Sequence, residues 1–217
     1  MGGTDIDVGS RATPTIVDWN SDGKKDLVVG ALDGKVYIFI NEGTDTEPDF
    51  NSQTLAQNSG VDLIVPSSRS SPHVLDTDGD GKKDLLVGNT NGQLLLYTNT
   101  GTDEAPSFSG YTAVESEGNP IDLSATRSRP FVADWTGDGM MDVLIGVSDG
   151  KVYLYQNVLG DMDCTGVVDL DDMLLFVEAL IDPANYTGCD INRGEMNGDG
   201  KVNGLDVQPF VDRLLGP

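Results

Sequence analysis

Three thirteen-residue stretches, DWNSDGKKDLVVG from Asp18, DTDGDGKKDLLVG from Asp76 and DWTGDGMMDVLIG from Asp134, begin 58 residues apart at both steps. The same step carries Arg11 to Arg69 and Arg127, and Pro14 to Pro72 and Pro130. It also carries Gly34 to Gly92 and Gly150, and Asn41 to Asn99 and Asn157. A register kept over so many positions is an internal repeat. A repeat constrains the architecture before any propensity argument, because each unit must bury its apolar face against a neighbour. Within a unit the pattern is β. A short strand (PTIVD, PHVLD, PFVAD) enters an acidic loop, a second leaves it (DLVVG, DLLVG, DVLIG), and a turn follows at LDG, TNG or SDG. A third strand runs through KVYIFIN, QLLLYTN or KVYLYQN. Asn-Gly and Asp-Gly between apolar runs are strong hairpin signals. A weaker fourth strand is expected in SQTLAQNSG of the first unit and FSGYTAVESEG of the second. Four antiparallel strands per unit describe a propeller blade.

The acidic loops carry the next constraint. With 36 acidic residues against 13 basic ones, the 217-residue chain has a formal net charge of −23. Phosphate binding needs clustered Lys and Arg, so nucleic acid is a poor partner and an anionic membrane surface equally so. Membrane insertion is not expected either, since no apolar stretch approaches the ~20 residues that span a bilayer. The start, MGGTDIDVGS, lacks the basic and apolar regions of a secretory signal, as a processed product also would. Divalent cations are the natural counter-charge.

Calcium takes six to eight oxygens, and a loop with carboxylates at alternate positions wraps around it. Loop positions 1, 3, 5 and 9 supply side chains: Asp18, Asn20, Asp22 and Asp26; Asp76, Asp78, Asp80 and Asp84; Asp134, Thr136, Asp138 and Asp142. Position 7 supplies a carbonyl from Lys24, Lys82 or Met140, and glycine at position 6 (Gly23, Gly81, Gly139) permits the sharp turn. Thr136 is a weak ligand, so the third loop is expected to bind least tightly. Position 12, a bidentate Glu in an EF-hand, is Val29, Val87 and Ile145, so these are calcium loops between strands. The bland alternative is a solvated acidic turn.

The Asp-rich loop followed by Asp-Leu-x-x-Gly and then Asp-Gly-x-Val resembles the FG-GAP or VCBS repeats of integrin-like β-propellers, over about residues 11 to 158. That resemblance implies calcium held in the loop between the first two strands of each blade.

After Asn157 the repeat stops. GDMDCTGVVDLDDMLLFVEAL from Gly160 and GEMNGDGKVNGLDVQPFVDRLL from Gly194 each give a twelve-residue acidic loop and an amphipathic helix. The first loop offers Asp161, Asp163, Thr165, the Val167 carbonyl, Asp169 and Asp172. The second offers Glu195, Asn197, Asp199, the Lys201 carbonyl, Asn203 and Asp206. Position 12 is now acidic and heads a helix, as an EF-hand requires, with Asp in place of Glu. Met173, Phe176, Val177 and Leu180 are expected to face Val207, Phe210, Val211 and Leu214. Residues 160 to 216 resemble a type I dockerin with one cysteine in the first loop and another before the second. The resemblance implies calcium-dependent folding and docking to a cohesin-like partner. At positions 10 and 11, where the family often has Ser-Thr, this chain has Leu170 and Asp171, then Gly204 and Leu205. A Cys164–Cys189 disulfide would close a loop worth about 3 kcal/mol and suits an oxidising, calcium-rich exterior. Asn185-Tyr186-Thr187 is a formal glycosylation acceptor.

The expected fold is therefore mainly β. Residues 1–158 would form three calcium-binding blades of an incomplete propeller, and residues 159–217 a small α-helical dockerin-like domain with two EF-hand-type loops. About five calcium ions are expected. Propellers usually close with four to eight blades, and here the third sheet stops at its third strand. Residues 2 to 10 align with the tail of the fourth-strand region in the other units (60 to 68 and 118 to 126). Either the N-terminal segment of one copy completes the third blade of the next, giving a ring or a filament, or the chain is part of a larger propeller. Trp19 and Trp135 at loop position 2 would stack on a sugar or pack between blades. Arg11, Arg69 and Arg127 are expected to pair with the acidic loops or brace blade junctions, and His73 to be structural. With one histidine, and no cysteine beyond the two that are candidates for one disulfide, most nucleophilic catalysis is unsupported. The expectation is a secreted, non-catalytic calcium-stabilised binding or assembly protein. Its partners would be copies of itself, a cohesin-like or cell-surface protein, or glycans. The alternative is a carbohydrate-binding or carbohydrate-active component attached to a scaffold.

Overall fold

The computed structural model describes residues 5–116, 119–124, 127–137 and 139–215. Strands β1 (Thr13–Val17), β2 (Asp26–Gly30), β3 (Val36–Phe39) and β4 (Gln53–Leu55) form an antiparallel four-stranded sheet in that order. A ribbon of β5 (Gln57–Asn58) and β6 (Val61–Asp62) follows. The second unit repeats the plan. Strands β7 (Ser71–Leu75), β8 (Asp84–Gly88), β9 (Leu94–Tyr97) and β10 (Thr112–Ala113) form the sheet, and β11 (Glu115–Ser116) and β12 (Asn119–Pro120) the ribbon. The third unit gives a three-stranded sheet of β13 (Arg129–Ala133), β14 (Asp142–Gly146) and β15 (Val152–Tyr155). The C-terminal region holds two helices, α1 (Leu170–Ile181) and α2 (Val207–Leu215). No helix among the described residues is long and apolar enough to cross a membrane.

The chain divides into two compact units. The first takes in residues 1–114, 120–131 and 145–153, and the second 115–119, 132–144 and 154–217. In the first, the exit strands β2 and β8 are continuous apolar runs because both of their faces are covered, unlike the alternating β1. Val28, Val36 and Ile38 of the first sheet share one core with Leu85, Val87, Leu95 and Tyr97 of the second. Gly30 makes this joint possible, and Gly88 allows the equivalent approach between the second sheet and the segment that opens β13. A Cβ at Gly30 would lie 2.2 Å from the Ser70 carbonyl oxygen, and one at Gly88 2.3 Å from that of Ser128. The same serines staple the two joints. The buried Ser70 hydroxyl donates to the Lys35 carbonyl and accepts the Ala31 N–H at 3.0 Å. Ser128 donates to the Gln93 carbonyl at 2.7 Å and accepts the Asn89 N–H at 3.0 Å.

The fourth-strand region departs from expectation. Residues 52 to 60 are not one strand. Ser59 and Gly60 both take positive φ (55° and 77°), the backbone of a two-residue hairpin turn, and the chain doubles back through β6. The return buries Leu63 and Val65 in the core, where the Val65 N–H donates to the Gly34 carbonyl at 2.8 Å. In the second repeat β10 is only two residues long, and Glu117 and Gly118 of the expected strand lie outside the described residues. Of the N-terminal segment, residues 1–4 also lie outside them. Ile6 and Val8 pack against Val29, Ala31 and Phe39 of the first sheet. The Leu32 N–H donates to the Ser10 carbonyl at 2.8 Å, as the Thr90 N–H does to the Ser68 carbonyl at 3.3 Å.

In the second unit, Phe176 of α1 stacks on Phe210 of α2 with centroids 3.9 Å apart, over a core that includes Met162 and Ala179. Leu180 and Leu214 join it as expected. Met173, Val177, Val207 and Val211 do not: all four are exposed. The interior is filled instead from the loops, by Met162, Tyr186, Ile191, Met196 and Val202, so each helix buries a narrower stripe than its apolar spacing implies. The Cys164–Cys189 disulfide is formed, with Cα atoms 5.9 Å apart.

Candidate metal centre

Each acidic loop hangs between two paired strands, because the position-9 aspartate is the first residue of the exit strand. Asp26 pairs with Val17 and Asp84 with Leu75 across the hairpin. These carboxylates are buried in all three repeats. One oxygen of each accepts the N–H of loop position 2: Trp19 at 2.8 Å, Thr77 at 3.0 Å and Trp135 at 2.7 Å. The other accepts an N–H from the repeat asparagine: Asn41 at 2.7 Å, Asn99 at 2.7 Å and Asn157 at 2.8 Å. The position-9 aspartate thus ties the loop to the end of the third strand. The asparagines had stood out only by their spacing.

Position 1 organises the turn. The Asp18 carboxylate accepts from the N–H groups of Asp22 at 3.0 Å and Gly23 at 2.8 Å. Asp76 accepts from Gly79 at 2.8 Å and Gly81 at 2.9 Å, and Asp134 from Gly137 at 2.6 Å and Gly139 at 3.0 Å. Gly23, Gly81 and Gly139 take φ of 86°, 84° and 91°, as the sharp turn demands.

In the second loop Asp76, Asp78 and Asp84 each bring a carboxylate oxygen within 4.8 Å of the other two. That separation is the span across an ion with Ca–O bonds of about 2.4 Å, so this triad can hold a divalent cation. Asp80 faces Lys82 instead, at 2.6 Å, and the hydrogen bonds from that lysine hold its carboxyl below the ordinary aspartate range. Asp22 of the first loop is likewise drawn to Lys24, at 3.5 Å, and its carboxyl is lowered, first by the Lys24 N–H. Asp18, Asn20 and Asp26 stand at the equivalent positions, and the Lys24 ammonium donates to the Asn41 carbonyl at 3.2 Å. In the third loop Asp134, Thr136, Met140 and Asp142 are described, and the Thr136 N–H donates to Asp142 at 3.1 Å. Asp138 lies outside the described residues.

The C-terminal loops are built on a different plan, twice. Asp172 accepts N–H groups from Met162 at 2.7 Å, Asp163 at 3.1 Å and Asp169 at 2.8 Å. Asp206 accepts from Met196 at 2.7 Å, Asn197 at 3.1 Å and Asn203 at 2.7 Å. Both position-12 carboxylates are fully buried. Asp169 caps α1 and forms a reciprocal capping box with Asp172. Asp161, Asp163 and Asp172 form a second triad of carboxylate oxygens within 4.8 Å of one another. Burial pushes the Asp161 carboxyl up, although the Arg193 guanidinium donates to it at 2.6 Å and pulls the other way. A cation among the three carboxylates would offset the cost of burying their charge. Thr165 and the Val167 carbonyl bond each other at 3.4 Å. In the second loop Glu195 accepts from Gly198 at 2.7 Å and Asp199 at 3.0 Å, and Asn203 donates to Asp199 and to the Lys201 carbonyl.

Residues 76–145 match the FG-GAP-like repeat. The match opens on the second acidic loop and runs into β14, so it covers the second and third loops. FG-GAP-like repeats often bind calcium, in keeping with the Asp76–Asp78–Asp84 triad. The match does not extend to residues 159–217. No curated protein matches the chain.

The remaining candidates separate. Trp19 is 5% exposed and belongs to the core of the first two sheets, while Trp135 is 63% exposed. His73 sits with its ring 5.3 Å from that of Phe131, and burial holds its imidazole below the ordinary range. Arg11, Arg69 and Arg127 form no ion pair with the acidic loops among the described residues. Arg11 precedes β1 and Asp18 follows it, and a five-residue strand holds its ends roughly 17 Å apart.

Proposed function

We propose that this chain is a secreted, non-catalytic, calcium-stabilised binding or assembly protein. In this reading the FG-GAP-like repeats are blades of an incomplete β-propeller, and the C-terminal loop–helix pair is a dockerin-like docking module. The observation that carries it is the gathering of carboxylates at repeated loops, with Asp76, Asp78 and Asp84 in one triad and Asp161, Asp163 and Asp172 in another. Backbone N–H groups fix these carboxylates in place, which suits a structural ion better than a reacting group. The ion would be held by Asp76, Asp78 and Asp84 in one loop and Asp161, Asp163 and Asp172 in the other, and its charge would cancel their mutual repulsion. The disulfide accords with an oxidising compartment.

Two surfaces support the association part of the reading. The outer strand β15 of the three-stranded sheet has no fourth neighbour among the described residues, and Val152 on it is 68% exposed. Such an edge is a template for another strand. On α1, Leu170, Met173, Leu174, Val177 and Ile181 are all exposed, and Leu170 and Leu205 stand at the loop positions that the dockerin resemblance links to partner choice. The exposed Trp135 keeps a second reading, a glycan-binding component, in play through ring stacking.

Electron microscopy and light scattering on the purified protein, in millimolar calcium and after chelation, test the reading together. Rings or fibres that disperse on chelation are the expected result. A monomer whose melting temperature is the same in calcium and in EDTA would sink both the assembly and the calcium parts. Glycan binding lost in Trp135→Ala would transfer support to the second reading.

A further inference from the structure

At the ends of β1 and β7 away from the acidic loops, the first unit gathers positive charge. Arg11, Arg69, Arg127 and Arg129 line one small pocket together with Thr13, Ser70, Ser71, Asn89 and Ser128. Among the described residues no carboxylate lies within ion-pair distance of any of the four guanidiniums, and none of them donates a hydrogen bond. This is the reverse of what a chain of net charge −23 would give by default. Arg11, Arg69 and Arg127 arrive by the 58-residue step, one from each repeat, so the fold itself brings them together. Two of them sit in left-handed backbone, Arg11 at φ 64° and Arg69 at φ 54°, a conformation that costs an L-residue about 1–2 kcal/mol. Burial, and then the charges of Arg11, Arg127 and Arg129, hold the Arg69 guanidinium below the ordinary arginine range.

We propose that this arginine pocket is an anion site that takes a tetrahedral oxyanion group, free or as an ester. The stoichiometry of donors selects the ligand. A single carboxylate offers two oxygens and one charge, too few for four planar donor forks. A sulfate-type group offers three or four oxygens and greater charge density, and arginine forks bind such groups in pairs of parallel hydrogen bonds. The hydroxyls of Ser70 and Ser128 are committed to the sheet joints, and Thr13 donates to the Ser70 carbonyl at 2.9 Å. The guanidiniums and Ser71 are therefore left to meet the ligand. The acidic loops do not veto an anion here, because charges beyond about 10 Å are largely screened at 0.1 M salt.

Calorimetric titration of the calcium-loaded full chain with sodium sulfate, against sodium chloride at equal ionic strength, tests the site. One saturable sulfate per chain is expected, with affinity at least tenfold lower in Arg11→Gln and in Arg127→Gln. Arg127→Lys, which keeps charge but loses the fork, should fall between, and Lys25→Gln should bind like the parent. Should a glutamine variant misfold by circular dichroism, the parent's melting temperature still decides. It should rise and level off over low-millimolar sulfate and not with matched chloride, ahead of the general stabilisation that sulfate gives any folded chain at high concentration. Competition by glucose 6-sulfate would mark an ester as acceptable, and its failure would restrict the pocket to the free ion. No saturable uptake, or uptake equal in parent and folded variants, overturns the proposal.

Discussion

At the scale of single residues, each joint between successive repeats depends on one missing side chain, at Gly30 and at Gly88. Gly88 lies so close to the Ser128 backbone that a methyl group would overlap it, whereas at Gly146 the nearest such atom, the Arg129 carbonyl oxygen, is 4.0 Å away. Gly88→Ala should therefore destabilise the protein by about 1–3 kcal/mol, the usual cost of overpacking. Gly146→Ala, at the same repeat position, should cost well under half of that. Chemical denaturation of both variants in calcium checks the contrast, and equal losses would mean the sheets are not joined in this way. The serines that complete these joints are equally specific. Ser70 and Ser128 occupy a position that is Ala12 in the first repeat. Removing a hydroxyl that satisfies a buried N–H and a buried carbonyl leaves both without partners, which is why this residue is bonded in each place where one sheet follows another.

At the scale of elements, hairpins and loops were legible in the sequence because their signals are local. Alternate carboxylates, a glycine at the sixth loop position and an Asp-Gly or Asn-Gly turn each act over a few residues, and all reappear in the structure. What needed a neighbour was not legible. The apolar spacing of α1 implied that Met173 and Val177 face α2, yet residues from the two loops fill that space. Trp19 and Trp135 share a loop position and differ in fate, because the first has an adjoining sheet to enter. The arginines carry two readings in the sequence, a pairing with the acidic loops or a brace at the blade junctions, and the strand that separates Arg11 from Asp18 removes only the first. The C-terminal segment shows how a thin core is reinforced: two buried carboxylates gather loop N–H groups, and one disulfide joins the first loop to the approach of the second. Replacing Cys164 and Cys189 together by serine should lower the protection of α1 and α2 in hydrogen exchange by about 3 kcal/mol. Unchanged protection would assign the stability of this segment to its loops alone.

At the scale of the molecule, a net charge of −23 on 217 residues sets the terms of stability. Self-repulsion of this size opposes compaction, and bound cations or dissolved salt can each offset it. The melting temperature in EDTA should therefore climb as sodium chloride rises from low to moderate concentration, while in millimolar calcium it should be higher and nearly flat. Parallel salt curves with and without calcium would indicate that the ions do not sit in the loops. The charge is also distributed unevenly. In the first unit strands β1 and β7 run from guanidiniums at one end to carboxylate loops at the other. A unit polarised in this way behaves as a compass needle: near a charged wall or gel at low salt it should settle with one pole down.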